Sequence, residues 1–568
     1  MDKHAIALVL DEIGTLLDLH GENSFKARAF QAAARAVERS EVDVNDLAAA
    51  GELEQIAGIG PATARVIREL IETGTAKFYL DLRARTPNGF YELLAVPKLG
   101  AKRIRILHEK LGIESVADLE RAARDGKIAQ VPGFGGRTQE ILLEGINYVR
   151  GTLGRRRLAE ALDVGPRLQG FVASLPGVIE AELAGELRRR KETVDGIDIV
   201  ASIEPDKRDA ALQLFSELPG VMEAGRHGRD GAFARLSDGF QLRLRCVPPA
   251  EYAAALVQQT GSEAHVDALQ ACAMVHGKLL SKMGARTESD LYERLGLQFV
   301  PPELRESGDE VQIASMQRLP ELVELDDLRG CFHCHTVYSD GRHTVAEMAE
   351  AARQRKWRYI GIADHSKNAG YAGGLNAEQI ARQHEEIDEW NAAHGSKVWV
   401  FKGIEADILT DGRLDYEDEP AVLESFDFVV GSVHSSFGLG IEAMTARLIR
   451  AMQNPALTFL GHATGRLLLS RAGYRIDIDT VFAAAREFGV AVEINADPHR
   501  LDLGWEHWRR GKELGVRTAI NPDAHSTRSL GVVEYGVCMA RKGWLEKSDV
   551  VNTWTLPQVR KYLRQRKD

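Results

Sequence analysis

Residues 398–407, VWVFKGIEAD, form an apolar run of strand length that closes on carboxylates. Runs of the same build lie on both sides of it: YIGIAD (359–364), FDFVVGSVHS (426–435), TFLGHATG (458–465), VAVEINAD (490–497) and RTAINPDAH (517–525). Amphipathic helical stretches separate them. Strands that alternate with helices predict parallel pairing through crossover connections, and a distorted TIM-like (β/α) barrel is the arrangement expected here. The C-terminal strand ends of such a barrel share one face, so side chains far apart in sequence can meet there.

The residues at those ends are of one chemical kind. His333-x-His335 with Asp340 opens the set, followed by Asp364-His365, Glu405, His434, His462 and Asp523-x-His525. Two histidines one residue apart on a strand point to the same side, as two ligands of one metal must. Imidazole with carboxylate suits Zn, Mn or Fe, and several carboxylates allow a bridging oxygen between neighbouring metals. A lone His at a strand end is more often a hydrogen-bonded structural residue. That blander interpretation would have to hold at every strand end in turn.

Working outward, the stretch FVPPELRESGDEVQ (299–312) and the polar residues after it read as a connector ending near Arg329. Before it, GVIEAELAG (177–185), VDGIDIVASI (194–203), AFARLSDG (232–239) and FQLRLRCVPP (240–249) read as strands of a mixed α and β domain. Residues 1–152 show helical spacing broken by Gly-containing turns. The turns at 56–60, 96–100 and 131–135 share one grammar, each ending one apolar helix and opening another. The expected domains are 1–85 and 86–152, both helical, then 153–298, a linker over 299–328, and 329–568.

The chain has 568 residues, which at roughly 100–200 residues per domain suggests about three to five domains. Its formal charge of −11 excludes a basic nucleic-acid coat. Contact with nucleic acid would rest on local basic clusters or backbone amides. The five cysteines are scattered and read as reduced thiols. The N-terminus carries acids within its apolar stretch, and no run of about 18 apolar residues appears, so a cytoplasmic monomer without a membrane partner is expected.

The HxH…D, DHS, GIE, GSVH, GHxTGR and DAHS signatures between 333 and 526 resemble the PHP family of metal-dependent phosphoesterases. That resemblance implies a three-metal centre ligated by His333, His335, Asp340, His365, Glu405, His434, His462, Asp523 and His525, with Glu405 bridging. Mn2+ is the implied metal, with Zn2+ or Fe2+ as alternatives. Cys331 stands where the family usually has Asp. The implied chemistry is phosphoester hydrolysis, carried by Glu405, His333 and Asp523, with Arg466 and Arg500 placed to clamp phosphate.

The whole chain is similar to bacterial family X DNA polymerases, through FKARAF (25–30), LRRRKETV (187–194), IDIV (197–200), TGSEAH (260–265) and LGLQFVPPELRE (295–306). The resemblance implies helix-hairpin-helix contacts to DNA through Gly58, Gly60, Gly100, Gly133 and Gly135, then fingers, palm and thumb. The family's palm holds two metals on three carboxylates, but Gly196, Asp198 and Arg243 occupy those positions here. Asp195 would face away from Asp198 on a regular strand unless a bulge turns it round. Glu186 replaces a phosphate-contacting Ser, Gln258 and Gln259 replace an aromatic pair, and Val66 stands at the lyase lysine position. The basic run Arg188 to Lys191 either holds DNA phosphates or is a solvated charge run. The expected function is a metal-dependent 3′→5′ exonuclease of base-excision repair, acting on gapped, recessed or 3′-end DNA with a degenerate palm. A gap-filling polymerase working through Asp195 is the alternative. A non-catalytic DNA-end binder and a small-metabolite phosphatase are further ones.

Overall fold

Gly-containing turns and short 3-10 segments break the first 152 residues into helices, from Lys3–Leu19 to Gly136–Thr152. Their apolar stripes meet in one core, with Leu10, Ile13, Phe30, Val37, Ile67, Leu70, Ile104 and Leu107 buried. The computed structural model describes residues 3–40, 44–94, 96, 98–152, 154–218, 221–236, 239–275 and 277–565, and the chain divides into units 1–153 and 154–568. Helices Pro61–Thr73, Ala101–Leu111 and Gly136–Thr152 each follow one of the three related turns. All three turns need a left-handed residue at the same place. Gly58 and Gly133 supply it at φ +100° and +87°, and Lys98 adopts it at +66° despite its side chain. Pro97, in the second turn, lies outside the described residues.

In the second unit, strands β1 (Val178–Ala184), β2 (Gly196–Ile203), β3 (Val221–His227), β4 (Gly231–Leu236) and β5 (Gln241–Val247) form one sheet in the order β1-β2-β5-β4-β3. On β5 the leucines Leu242 and Leu244 turn to the core while Arg243 and Arg245 stay half-buried, the period of two expected for one covered face. Strand β3, VMEAGRH, was not legible in the sequence, because it lacks that alternation and is largely exposed. Residues 299–328, expected as a polar linker, instead contain helical turns that pack Val300, Leu304, Val311, Ala314 and Leu322 against Leu291 and Tyr292. The Arg305 side chain is fully buried there, donating to Glu288 at 2.6 Å beneath the rings of Tyr292 and Phe299. Arg305 and Glu310 therefore face inward, while Arg318, Glu321, Glu324 and Asp326 stay exposed.

The C-terminal strands β6 (Gly330–Cys334), β7 (Tyr359–His365), β8 (Trp399–Asp407), β9 (Phe428–Ser432), β10 (Leu457–Leu460), β11 (Ala491–Asn495) and β12 (Thr518–Asn521) pair in parallel in sequential order. A parallel bridge between Cys334 and Ala524 brings the last strand back to the first, giving a nearly closed seven-strand barrel. Phe332, Tyr359, Phe401, Phe428 and Phe459 fill its interior. Gly403 makes room for them, since a Cβ there would lie 2.2 Å from the Phe428 ring. The terminal helix Leu556–Gln565 packs Val559 and Tyr562 against the same cluster. An aromatic plug at one end leaves the other for polar side chains.

Candidate metal centre

Strand β6 does not present its two histidines by plain alternation. Its register slips between Cys331 and Cys334, and His333 takes a left-handed φ of +57°. Asp523 does the same at +51°. Non-glycine residues held there are strained, and such strain gathers at functional sites. The result is convergence: Nε2 of His333 and Nε2 of His335 lie 3.5 and 3.2 Å from Oδ1 of Asp523.

Glu405, at the end of β8, stands at the middle of the cluster. Its Oε1 lies 3.1 Å from His462, 3.2 Å from His333 and 3.4 Å from His434, while Oε2 lies 2.9 Å from His365 and 3.8 Å from His335. Asp340 completes the outer side, 3.3 Å from His525 and 3.6 Å from His365. All nine ligand positions read from the sequence thus come together in overlapping donor groups, each with its ligand atoms within 4.8 Å of one another. Burial is nearly complete at His333, His335 and Glu405, whereas the side chains of Asp340 and His525 are 38% and 39% exposed and mark the mouth.

The donor set fits metal ions. Among the described residues, Nε2 of His333, Nδ1 of His335, Nδ1 of His365, Nδ1 of His462 and Oε2 of Glu405 are buried without a hydrogen-bond partner. Such groups are costly unless something else satisfies them, and a bound cation would do so. Electrostatics agree. Burial works against charge on Glu405 and Asp523, yet the surrounding imidazoles hold both carboxyls well below the ordinary range. Burial likewise opposes charge on His365 and His434, but Glu405 together with Asp340 at His365 and with Asp407 at His434 outweighs it and lifts them to about 10 and about 9.

Glu493 and Asp407, which the sequence reading did not single out as functional, orient this cluster together with Asp364 of the strand-end set. Glu493 accepts from Nδ1 of His333 at 2.8 Å and is itself held by Asn495 and Asn521, each at 2.9 Å. Asp407 accepts from Nδ1 of His434 at 2.6 Å. Fixing Nδ1–H in this way leaves Nε2 as the donor atom toward the centre. Asp364 accepts from the backbone and hydroxyl of Thr336, pinning the loop after His335. The available signal was position: Asp407 ends β8, and Glu493 is the acid within the apolar run of β11.

The two arginines differ. Arg500 is largely buried with Nε 3.7 Å from Asp523, and although burial opposes its charge, Asp523 and Glu405 raise its pKa further. Arg466, expected to clamp phosphate, instead donates Nε to the Arg500 carbonyl at 2.9 Å and Nη2 to the Leu501 carbonyl. Its guanidinium is thus held by backbone acceptors.

The five-stranded sheet presents a different picture. Asp198 on β2 lies directly opposite Arg243 on β5, and Arg243 donates to it at 2.6 and 3.1 Å. The strand breaks before Gly196, so Asp195 turns toward Asp198 rather than away and takes a 2.7 Å hydrogen bond from Arg243. A guanidinium fills the space between the carboxylates. Gly185, at φ +61°, is needed because a Cβ there would meet Asp198 at 2.1 Å. Glu186 pairs with Arg155 at 2.7 Å and Lys191 at 3.3 Å. Arg188 grips Glu288 with both terminal nitrogens, and Arg189 binds Glu306 at 2.9 Å. Most of the basic run therefore serves internal pairs. Val66 is core, 3% exposed.

In the N-terminal unit, a Cβ at Gly60, Gly100, Gly133 or Gly135 would meet nothing within 4 Å, so these turns face open space. Gly58 is also at the surface. Among the described residues no helix is long and apolar enough to cross a membrane.

Comparison with known proteins adds independent findings. Residues 1–76 match the helix-hairpin-helix domain, 90–146 the SAM-like helix-hairpin-helix tandem, 255–306 the DNA polymerase beta thumb and 332–496 the PHP domain. The DNA polymerase/3'-5' exonuclease PolX of Bacillus subtilis (strain 168) is 34% identical over 577 residues, spanning 99% of this chain and 100% of that protein. A probable phosphatase of Thermoanaerobacter sp. (strain X514) is 26% identical over 250 residues, 41% of this chain and 94% of its own. Another, from Caldanaerobacter subterraneus subsp. tengcongensis, is 27% identical over 258 residues, 41% of this chain and 91% of its own.

Proposed function

Since the chain belongs to the bacterial family X DNA polymerases, we propose that it shortens DNA from 3′ ends as a metal-dependent exonuclease of its C-terminal barrel, with a palm that no longer transfers nucleotides. The observation that carries this is the pair of environments: Glu405 ringed by imidazoles with unsatisfied lone pairs, against Asp198 closed off by Arg243.

His333, His335, Asp340, His365, Glu405, His434, His462, Asp523 and His525 would hold the metals. Mn2+ is the preferred ion, with Zn2+ or Fe2+ as alternatives, and three ions is the count the family resemblance implies; Glu405, which belongs to two of the four donor groups, would lie between neighbouring ions. Bound there, the ions would supply Lewis-acid polarisation of the phosphoryl group and an acidified water. The chain's own residues do the remaining work. Glu493 and Asp407 hold the His333 and His434 rings in register, and Arg500 offers a buried cation to phosphate oxygens beside Asp523. The open turns at Gly58, Gly60, Gly100, Gly133 and Gly135 would grip DNA phosphates through backbone amides. Gapped, recessed or other 3′-ended DNA in base-excision repair is the substrate class, handled by a cytoplasmic monomer. In domain terms, 1–152 binds DNA, 153–328 is palm and thumb, and 329–568 is the hydrolase.

The test is a recessed 3′ primer given dNTPs and Mn2+, with His333→Ala and Asp198→Ala compared. Shortening abolished only by the histidine change is expected. Lengthening abolished only by the aspartate change would overturn the proposal.

A further inference from the structure

We propose that Glu192, on the palm side, is a positioning residue for Arg500 of the barrel, so that the degenerate palm is a working part of the nuclease. This rests on the hydrolase reading above for its catalytic consequence, though not for its geometry.

Glu192 precedes the short strand Thr193–Val194, and its carbonyl is tied to the Leu158 amide at 2.9 Å. Its carboxylate, only 14% exposed, accepts from two donors on separate barrel loops. Trp505 Nε1 donates to Oε2 at 2.9 Å, and Arg466 Nη2 to Oε1 at 3.3 Å. These loops follow β11 and β10. The same Arg466 guanidinium holds the carbonyls of Arg500 and Leu501. Asp502 closes the knot by accepting from the Thr464 amide and hydroxyl, at 3.0 and 2.8 Å.

The segment held this way is one that needs holding. Leu501 sits at φ +42°, a conformation that persists in a non-glycine residue only when its surroundings enforce it. Arg500, next to it, points its guanidinium at Asp523. Behind Trp505, the buried Lys542 ammonium lies 4.4 Å over the indole ring and donates to the Arg189 carbonyl at 3.1 Å. The chain from Glu192 through Arg466 to the Arg500 carbonyl is thus continuous, and it crosses from palm to barrel. An isolated surface ion pair would show neither the second donor nor the link onward to Arg500.

The experiment compares Glu192→Ala, Arg500→Ala, their combination and Glu192→Gln in the full chain with Mn2+. Amide hydrogen exchange over residues 497–505 and kcat/KM for removal of a 3′ nucleotide are measured. Glu192→Ala should raise exchange in that segment several-fold and lower kcat/KM about tenfold, as expected for a misplaced phosphate-binding group. It should add no further loss to Arg500→Ala, and Glu192→Gln, which keeps one acceptor oxygen, should recover most of the activity. Unchanged exchange over 497–505 in Glu192→Ala would overturn the proposal. So would a loss that multiplies undiminished with that of Arg500→Ala. Raised exchange in a protein whose wild type cleaves no phosphodiester would refute the hydrolase reading and leave the positioning of Arg500 standing.

Discussion

The palm sheet and the barrel each bring carboxylates to parallel strands, yet they neutralise them in opposite ways. In the palm, one guanidinium reaches Asp195 and Asp198 together, and the pair of acids is closed by a cation that cannot leave. In the barrel, five imidazoles surround Glu405, and buried lone pairs remain without hydrogen-bond partners. The acids alone therefore say little about whether a metal can bind. What matters is whether their counter-charge is a fixed side chain or a set of donors waiting for an ion.

The sharpest way to break this comparison is a matched pair of isosteric changes. Glu405→Gln should lower phosphodiester hydrolysis by about 10³-fold, because the central anion that organises the imidazoles is gone. Asp198→Asn should leave hydrolysis within about twofold, since the Asp198 carboxylate is taken up by Arg243. Equal losses in a nuclease assay would erase the distinction drawn here. Chelation is the next largest effect. Stripping metal from the holoenzyme should lower stability by about 3 kcal/mol, the linkage expected at roughly a hundred times Kd, with hydrogen exchange rising around β6, β8 and β12 and not in the palm sheet. A thermal scan with and without chelator reads the first part, and a uniform rise in exchange would contradict the second.

Arg243→Ala sharpens the palm side. Removing the cation leaves Asp195 and Asp198 facing each other, and because Arg243 is a third exposed the loss should be about 2 kcal/mol rather than the larger cost of a fully buried pair. Denaturant unfolding measures it, and nuclease activity should stay. The smallest effect concerns pH. Burial, with Lys402 adding to it, pushes His384 of the barrel down to about 4. The folded state thus binds this proton less readily than the unfolded chain, whose ordinary value is about 6.5. The stability at stake is present above pH 6.5 and is lost as pH falls toward 4. Between pH 7 and 5.5 the barrel should lose about 1 kcal/mol through this group, and His384→Leu should abolish that share in urea titrations at the two pH values.

Much of the fold was legible because burial imposes a period. Most barrel strands are apolar runs that close on a candidate ligand, so the strands, their parallel pairing and the nine candidate ligands could be read in order, whereas β11 carries the supporting Glu493 instead. The palm strands with a covered face were readable for the same reason, whereas β3, exposed on most of its length, carried no such mark. The segment 299–328 misled because its prolines and charges resemble a connector. The ion pairs that bury Arg305 against Glu288 come from residues far enough apart that no local pattern announces them.

Composition and spacing thus marked which residues are candidate ligands, since strand period and residue type are local properties of the chain. The roles of the arginines and supporting acids were settled only by contact. Arg243 between two aspartates, Arg466 on two carbonyls and Glu192 on a tryptophan of another domain are partners tens to hundreds of residues apart. A guanidinium looks the same in sequence whether it faces a substrate phosphate or an internal acceptor. Its assignment depends on which acceptors packing brings within about 3 Å, and that is a property of the folded chain alone.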